Sequence, residues 1–215
     1  MFLKKLDPTE AIEISVGTAL LVDAVLLVVL FVANNARKLD TKPTPTPAPP
    51  RAIISEDDRR PSLARFQLLV WTFVVIFAFV TVSLTRMLSG VLLSVTIPAN
   101  ILTLIGINVG SPVVSAGISR QKYHIEEKFE DPKGTANYAP LVSMLEENGE
   151  FSATRFQMLA WTFIAVLIFL ATVAGTLSNL PKDLTTLNLP DVSSTLVTLS
   201  GISQAAYLTG KGVSK

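Results

Sequence analysis

Asp23 is the residue whose type and position most invite a chemical role, because it lies near the middle of the apolar stretch 14–33. A carboxylate in hydrocarbon costs at least ~2.5 kcal/mol on insertion scales, which makes an intramembrane acid a candidate ion or proton site. The alternative is a protonated carboxyl, or one that accepts hydrogen bonds from Ser, Thr or Asn on a neighbouring helix. No Lys or Arg occurs at a matching depth in the sequence. Asp23 is therefore the intramembrane charge that the sequence predicts.

A second candidate site combines helix breakers with amide and hydroxyl groups at membrane depth. Gly106 and Gly110 form a Gly-x-x-x-Gly pattern that favours close helix approach, and Pro112 cannot donate to the carbonyl of Asn108. A kinked or broken helix that lines a polar cavity is one interpretation, since freed carbonyls are tolerated only where protein or water satisfies them. A tight packing seam with a proline kink is the other, and the small residues favour it.

A later stretch, 199–210, has the same small and polar character without a proline. Gly201 and Ala205 match Gly106 and Gly110 as small residues expected at a helix interface. The two stretches together give the candidates for pore lining or polar helix packing: Asn108, Ser111, Pro112, Ser203 and Gln204. The sequence leaves both of these roles open.

The elements that would position these residues follow from an internal repeat. The twelve-residue segments 62–73 and 152–163 are identical at eight positions, and each opens a long apolar run. Their shared motif residues are Arg65, Gln67, Trp71, Arg155, Gln157 and Trp161. The Arg and Gln side chains are expected to contact lipid headgroups or the returning end of the next helix, and the Trp side chains to pack against the partner helix.

The apolar runs predict an all-α integral membrane protein with five transmembrane helices over 14–33, 63–85, 98–117, 153–177 and 190–210. The first helix stands alone, and the other four form two helical hairpins related as parallel repeats. Ser62 and Ser152 are the expected N-caps of the second and fourth helices. Parallel repeats favour a ring of helices around an axis along the membrane normal, closed within one chain or by several.

Five segments result from this organisation. They are an N-terminal segment with its helix (1–38), a proline-rich charged linker (39–61), the first hairpin (62–118), a loop (119–151) and the second hairpin with a short tail (152–215). The linker has five prolines within 41–50 and favours extended polyproline geometry. The loop is too small for a domain and is expected to be a cap or a partner-docking surface.

Composition excludes several classes of protein. Of 215 residues, 49% are apolar and 16% charged, and the net charge of +1 gives no support for a nucleic-acid partner. The absence of cysteine excludes disulfides and thiol chemistry, and the single histidine, His124, lies in a predicted polar segment. No nucleotide-binding, nucleophile, haem or metal motif occurs, so neither an enzyme nor a cofactor is expected.

The basic residues predict the orientation in the membrane. If the 37–65 linker, the 118–155 loop and the C-terminal tail lie on the same side of the bilayer, fourteen of the eighteen Lys and Arg residues are on that side. That side is expected to be cytoplasmic, which predicts a cytoplasmic C-terminus and an external N-terminus.

Two stretches resemble uncharacterised bacterial membrane proteins. They are the Arg-Phe-Gln-x-Leu-x-Trp-Thr-Phe segments and the later segment 199–211, LSGISQAAYLTGK. The likeness covers the last four predicted helices and implies a bacterial inner-membrane location and the hairpin module, without an activity. The first copy has Ser111-Pro112-Val113 where the second has Ala206-Tyr207-Leu208, which implies that the halves have diverged in role.

These features predict a homo-oligomeric membrane protein, with the third and fifth helices at subunit interfaces or around an ion-conducting pore. The alternative is a non-conducting scaffold or accessory subunit of a larger membrane complex, docked through the 119–151 loop. A transporter has less support, since inverted broken helices and midplane charges are lacking. A polar path lined by both repeats would favour the channel, and a dry inner seam the scaffold.

Overall fold

The computed structural model describes residues 6–36, 54, 62–91, 95–125, 144–147 and 150–213, and every structural statement below concerns these residues. They form five long helices: α1 (Pro8–Ala36), α2 (Leu63–Leu88), α3 (Ala99–Ile125), α4 (Ala153–Ser178) and α5 (Ser194–Val213). A short antiparallel hairpin, β1 (Glu146–Glu147) with β2 (Glu150–Phe151), precedes α4. The prediction of a mainly helical chain with five helices is confirmed. The proline-rich linker and most of the 119–151 loop lie outside the described residues.

Three helices are long and apolar enough to cross a membrane. They are α1 over Pro8–Val32, α2 and α4, with 25, 26 and 26 residues. The apolar part of α3 is shorter, Ala99–Val114. α3 also continues to Ile125, beyond the end predicted at Gly117, and it runs through Pro112 without interruption. The chain is therefore compatible with a membrane-embedded protein.

Helices α2 to α5 form a closed ring. α2 contacts α3 and α4, and α5 contacts the same two helices, so each member has two neighbours. α2 and α4 run in the same direction, since both begin at the end where Gln67 meets Met158. α3 and α5 also run together, because Asn100 contacts Val192 at one level and Asn108 contacts Gln204 further along. The two hairpins thus lie side by side within one chain.

α1 lies outside this ring and packs mainly against α2. The two helices are antiparallel, with the backbone N–H of Leu6 donating to the carbonyl of Leu88 at 3.1 Å. Small residues one turn apart, Ala11, Ser15 and Ala19, are fully buried in the contact. Small side chains let the backbones approach closely, which is how helices associate in lipid.

The interior of the ring contains two apolar clusters. The large apolar cluster fills most of its length, and its buried members are Trp71, Val75, Ala78, Val82, Ile101, Leu104, Ala165, Val166, Phe169, Val173, Leu177, Leu187, Leu189, Val192 and Val197. The small apolar cluster lies at the end where α2 and α4 begin and comprises Ile54, Leu63, Ala64, Met144, Met158 and Tyr207. In the large cluster the rings of Trp71 and Phe169 are 6.3 Å apart and tilted by 55°, a favourable aromatic arrangement.

The starts of α2 and α4 are built alike, as the repeat predicts. Ser62 and Ser152 occupy the N-cap positions with extended backbone, but neither makes a side-chain capping hydrogen bond. Their backbone N–H groups instead donate to the carbonyls of Ile54 and Leu145, each at 2.7 Å. Ile54 and Leu145 are thereby held at the starts of α2 and α4, next to the small apolar cluster.

The opposite end of the ring is covered by the connection between α4 and α5. Its Leu187, Leu189 and Val192 are almost fully buried in the large apolar cluster. Arg86, only 2% exposed near the end of α2, donates from Nη1 to the carbonyl of Leu187 at 3.1 Å and to Oδ1 of Asn188 at 3.3 Å. This buried arginine therefore fastens the connection to α2 over the end of the ring.

The end of α2 is fixed by a Schellman motif. Gly90 adopts a φ of 86°, a left-handed conformation that glycine takes without steric cost. The N–H of Val91 donates to the carbonyl of Arg86 at 2.9 Å, and that of Gly90 to the carbonyl of Met87 at 3.1 Å. The motif ends the helix within one turn of Arg86 and so determines where the guanidinium lies.

Candidate functional site

A layer of four polar side chains crosses the interior of the ring, and we call it the polar layer. Each helix of the ring supplies one member: Gln67 from α2, Asn108 from α3, Thr162 from α4 and Gln204 from α5. Their exposed fractions are 1%, 2%, 6% and 4%. The layer is therefore the place where all four ring helices bring polar chemistry together.

The four side chains form one connected hydrogen-bond network. Gln67 donates from Nε2 to the carbonyl of Met158 at 3.1 Å and to the hydroxyl of Thr162. Gln204 donates from Nε2 to Oε1 of Gln67 at 2.7 Å and to Oδ1 of Asn108 at 3.3 Å. Since these bonds link α2 to α4, α2 to α5 and α3 to α5, the layer holds the two hairpins together.

Bonds within single helices complete the network. Asn108 donates from Nδ2 to the carbonyl of Leu104 at 2.7 Å, and the hydroxyl of Thr162 donates to the carbonyl of Met158 at 2.9 Å. Asn108 can then accept from Gln204, and Thr162 can accept from Gln67. Each donor and acceptor has a partner with one exception.

The exception is Oε1 of Gln204, which is buried and has no hydrogen-bond partner among the described residues. An amide oxygen has two lone pairs, and leaving a buried acceptor unsatisfied costs about 1–3 kcal/mol. The layer consists of amides and a hydroxyl, none of which titrates near neutral pH. It can hydrogen-bond to neutral polar groups but cannot act as a general acid or base.

The polar layer is enclosed by apolar side chains along the axis of the ring. On α2, Ala64 precedes Gln67 in the small apolar cluster and Trp71 follows it in the large one. On α4, Met158 and Ala165 flank Thr162 in the same way. Along α2 and α4 the polar layer therefore lies between buried apolar side chains.

The five residues proposed for pore lining or polar packing have different positions. Asn108 and Gln204 meet in the polar layer. Ser111 is buried and donates to the carbonyl of Ile107 in its own helix at 3.0 Å. Ser203 is buried next to Gln204 in sequence, and Pro112 lies within α3. The structure thus joins two of the five in one network.

The glycines predicted at helix interfaces also have different surroundings. A Cβ added at Gly106 or Gly110 would meet nothing within 4 Å, so no other described residue covers this face of α3. At Gly201 a Cβ would lie 3.6 Å from Cδ1 of Ile107, across the contact between α5 and α3. Ala205 is exposed. Of these small residues, Gly201 is the one seen against a neighbouring helix.

The two copies of the repeated motif have different environments. Gln67 is buried in the polar layer, whereas Gln157 is exposed. Trp71 is 2% exposed and Trp161 half-buried. The side chains of α4 that face the interior begin at Met158, one residue later than the repeat predicts. One residue corresponds to a rotation of about 100° around the helix axis.

The arginines of the motif lie at the foot of the ring. Both are half-buried, and Cζ of Arg155 lies 5.5 Å from the centroid of the Tyr207 ring. That distance allows a cation–π contact between α4 and α5. In the second hairpin, Arg155 therefore contacts the returning helix α5 through an aromatic ring.

Two members of the polar layer could not be identified from the sequence as interior polar residues. Thr162 has an identical counterpart, Thr72, which is exposed and donates to the carbonyl of Leu68 in its own helix. For Gln67, near the start of α2, the sequence leaves open a contact with lipid headgroups or a hydrogen bond to the returning end of the next helix. The available signal is the position of Gln67 one turn before Trp71, on the same helix face.

Asp23 lies outside the ring, on α1. It is half-buried, and its Oδ1 is buried without a hydrogen-bond partner in the described part of the chain. The described residues also contain no group of three or more His, Cys, Asp or Glu side chains that could hold a metal ion.

Comparison with protein-family models, with curated proteins and with solved structures found no match to this chain.

Proposed function

We propose that this protein is a non-conducting accessory subunit of a larger membrane complex, with all five helices spanning the bilayer. The observation that carries the proposal is the enclosure of the polar layer between two apolar clusters. Ion conduction requires polar side chains or carbonyls along a continuous path. Buried apolar side chains on both sides of the polar layer favour a structural role for the ring.

The five-span arrangement is supported by packing. α3 and α5 have 27 and 20 residues, which correspond to about 40 and 30 Å of helix. Both lie alongside α2 and α4, which are long and apolar enough to cross a membrane. Helices that pack side by side with membrane-spanning neighbours share the same hydrocarbon layer, about 30 Å thick.

The proposed orientation has the C-terminus in the cytoplasm of a bacterial cell, following the distribution of Lys and Arg. Because the chain has no cysteine, single cysteines can report the topology. A membrane-impermeant maleimide should label Lys182→Cys in intact spheroplasts, and Lys215→Cys only after permeabilisation. The opposite pattern would reverse the orientation.

The function is tested by reconstituting the full chain in liposomes and recording proton, potassium and chloride flux. We expect the flux to equal that of protein-free vesicles, with a channel-forming peptide as the positive control. Gln204→Leu provides a matched variant, since it removes the central amide of the polar layer. A flux that rises with protein content and is abolished by Gln204→Leu would contradict the accessory role.

A homo-oligomeric pore is the second candidate function. The observation in its favour is the open face of α3 at Gly106 and Gly110, where a helix of another copy could approach closely. Its predicted lining residues are less favourable, since Asn108, Ser203 and Gln204 are buried inside a single chain. The native mass in mild detergent separates the candidates: a homo-oligomer of defined number supports the pore, and a monomer supports the accessory role.

A further inference from the structure

Asp23 places a carboxylate oxygen without a hydrogen-bond partner among the described residues deep in an apolar helix. The residue lies within the membrane-length part of α1, about 22 Å along the helix from Pro8 and about 14 Å from Val32. Its Oδ1 is buried against the protein, and no described group donates a hydrogen bond to it. Acidic residues at such depth are rare and are normally paired. A donor from outside the chain would complete the site.

Of the three membrane-length helices, α1 has the smallest buried share. Only 11% of its apolar window is buried, compared with 33% in α2 and in α4. Its first half is closed against α2 through Ala11, Ser15 and Ala19. Its second half, residues 20–32, is largely exposed and contains Asp23. The unsatisfied carboxylate therefore lies at the edge of an open helix surface.

In the described apolar spans, a second copy of this chain has no Lys or Arg at the depth of Asp23. The arginines of its apolar spans α2 and α4, Arg65, Arg86 and Arg155, lie at the third residue from a helix end, far from mid-membrane depth. Arg86 is in addition buried and bonded to Leu187, and Arg155 stacks on Tyr207. A copy inserted in the same orientation would bring none of these groups to the level of Asp23.

We propose that Asp23 is the recognition residue for a different membrane protein, one whose transmembrane helix carries Lys or Arg near mid-membrane and packs along the second half of α1. The proposal rests on the accessory-subunit function and supplies the chemistry of its partner. In a medium of low dielectric constant an opposite charge is strongly attracted, and pairing removes the isolated charge from hydrocarbon.

The test uses a defined probe in place of the unknown partner. The probe is a poly-leucine transmembrane peptide with one central lysine, labelled for energy transfer to the full-length protein in phospholipid vesicles. We expect wild-type protein to bind it on the order of tenfold more tightly than a peptide with a central leucine, the usual scale of one intramembrane pairing. A peptide with its lysine near one end should bind no better than the leucine peptide.

Variants of the protein identify the carboxylate as the cause. Asp23→Asn and Asp23→Leu should both lose the preference for the central lysine, whereas Glu13→Gln, an exposed acid earlier on α1, should retain it. Unchanged circular dichroism and elution volume would verify that the variants fold. Equal binding of the lysine and leucine peptides, or full binding by Asp23→Asn, would overturn the proposal.

Two further readouts in the same vesicles separate this proposal from the function on which it rests. Energy transfer between two differently labelled copies of the protein that disappears in Asp23→Asn would overturn it in favour of a self-association contact. Proton flux that disappears in Asp23→Asn would overturn both the docking role and the accessory function. Vesicles that show no proton flux and do not bind the peptide would overturn the docking role alone.

Discussion

Replacing Gln67 by leucine tests the polar layer directly. Gln67 takes part in three interhelical hydrogen bonds: two that it donates, to Met158 and Thr162, and one that it accepts from Gln204. Side-chain hydrogen bonds between membrane helices average about 0.6 kcal/mol, so three predict a loss of roughly 2 kcal/mol in the free energy of unfolding. Leucine is close in volume to glutamine, so the cavity contribution should be small.

The repeat provides the matched control. Gln157 is the same residue at the equivalent position of the second hairpin, but it is exposed. Gln157→Leu should therefore change the free energy of unfolding by no more than about 0.5 kcal/mol. The assay is reversible unfolding by sodium dodecyl sulfate in mixed micelles, followed by far-ultraviolet circular dichroism. Equal losses in the two variants would refute the assignment of Gln67 to a buried network.

A double variant strengthens the test. Gln67 and Gln204 share one hydrogen bond of 2.7 Å, which either single substitution removes. The loss in Gln67→Leu/Gln204→Leu should consequently be smaller than the sum of the two single losses. The double variant also removes the unpartnered Oε1 of Gln204, which leucine does not replace. Strict additivity would mean that the two amides do not interact.

Three further predictions concern the ends and contacts of the ring. Arg86→Gln should cost about 1.5–3 kcal/mol, because charged donors form the stronger hydrogen bonds, and should speed hydrogen exchange around Leu187. Gly201→Ala should be neutral or stabilise by up to about 1 kcal/mol in the detergent titration, since its new Cβ has room and alanine favours helix, whereas Gly201→Leu should destabilise. The hydrogen bonds that Asp183 accepts from Thr185 lower the pKa of its carboxyl. The stability lost in Asp183→Asn should thus be present in full at pH 7 and should shrink as the pH falls from about 4 through the lower pKa of the folded state, where the native carboxyl takes up its proton.

Much of the helical framework could be predicted from the sequence. α2 and α4 begin at Leu63 and Ala153, as expected from the serine that precedes each apolar run. The apolar runs are long, and turn signals separate them, so both local composition and length favour helices there. The sequence predicts an end of α3 at Gly117, eight residues too early, because the polar residues after Gly117 indicate a membrane surface, whereas the helix continues to Ile125.

The facing of the helices could not be predicted. A soluble helix reveals its buried side by a polar opposite side, but a membrane helix is apolar all round and gives a weak signal. Gln67 and Gln157 occur in nearly identical sequences, yet only Gln67 faces the interior. The rotation of α4 by about one residue relative to α2 follows from packing among all four ring helices. No stretch of twelve residues contains that information.

The polar layer and Asp23 illustrate two opposite uses of polarity among apolar helices. Apolar side chains contact each other and lipid about equally well, so two apolar clusters alone would fix neither the depth nor the rotation of the helices. The amides of Gln67 and Gln204 can bond in one register, which makes the layer a device for specifying how the hairpins pair. Its bonds are directed inward, and nearly all are satisfied within the chain. Asp23 lies outside the ring, and its Oδ1 has no hydrogen-bond partner among the described residues, so the interaction proposed for it involves another molecule.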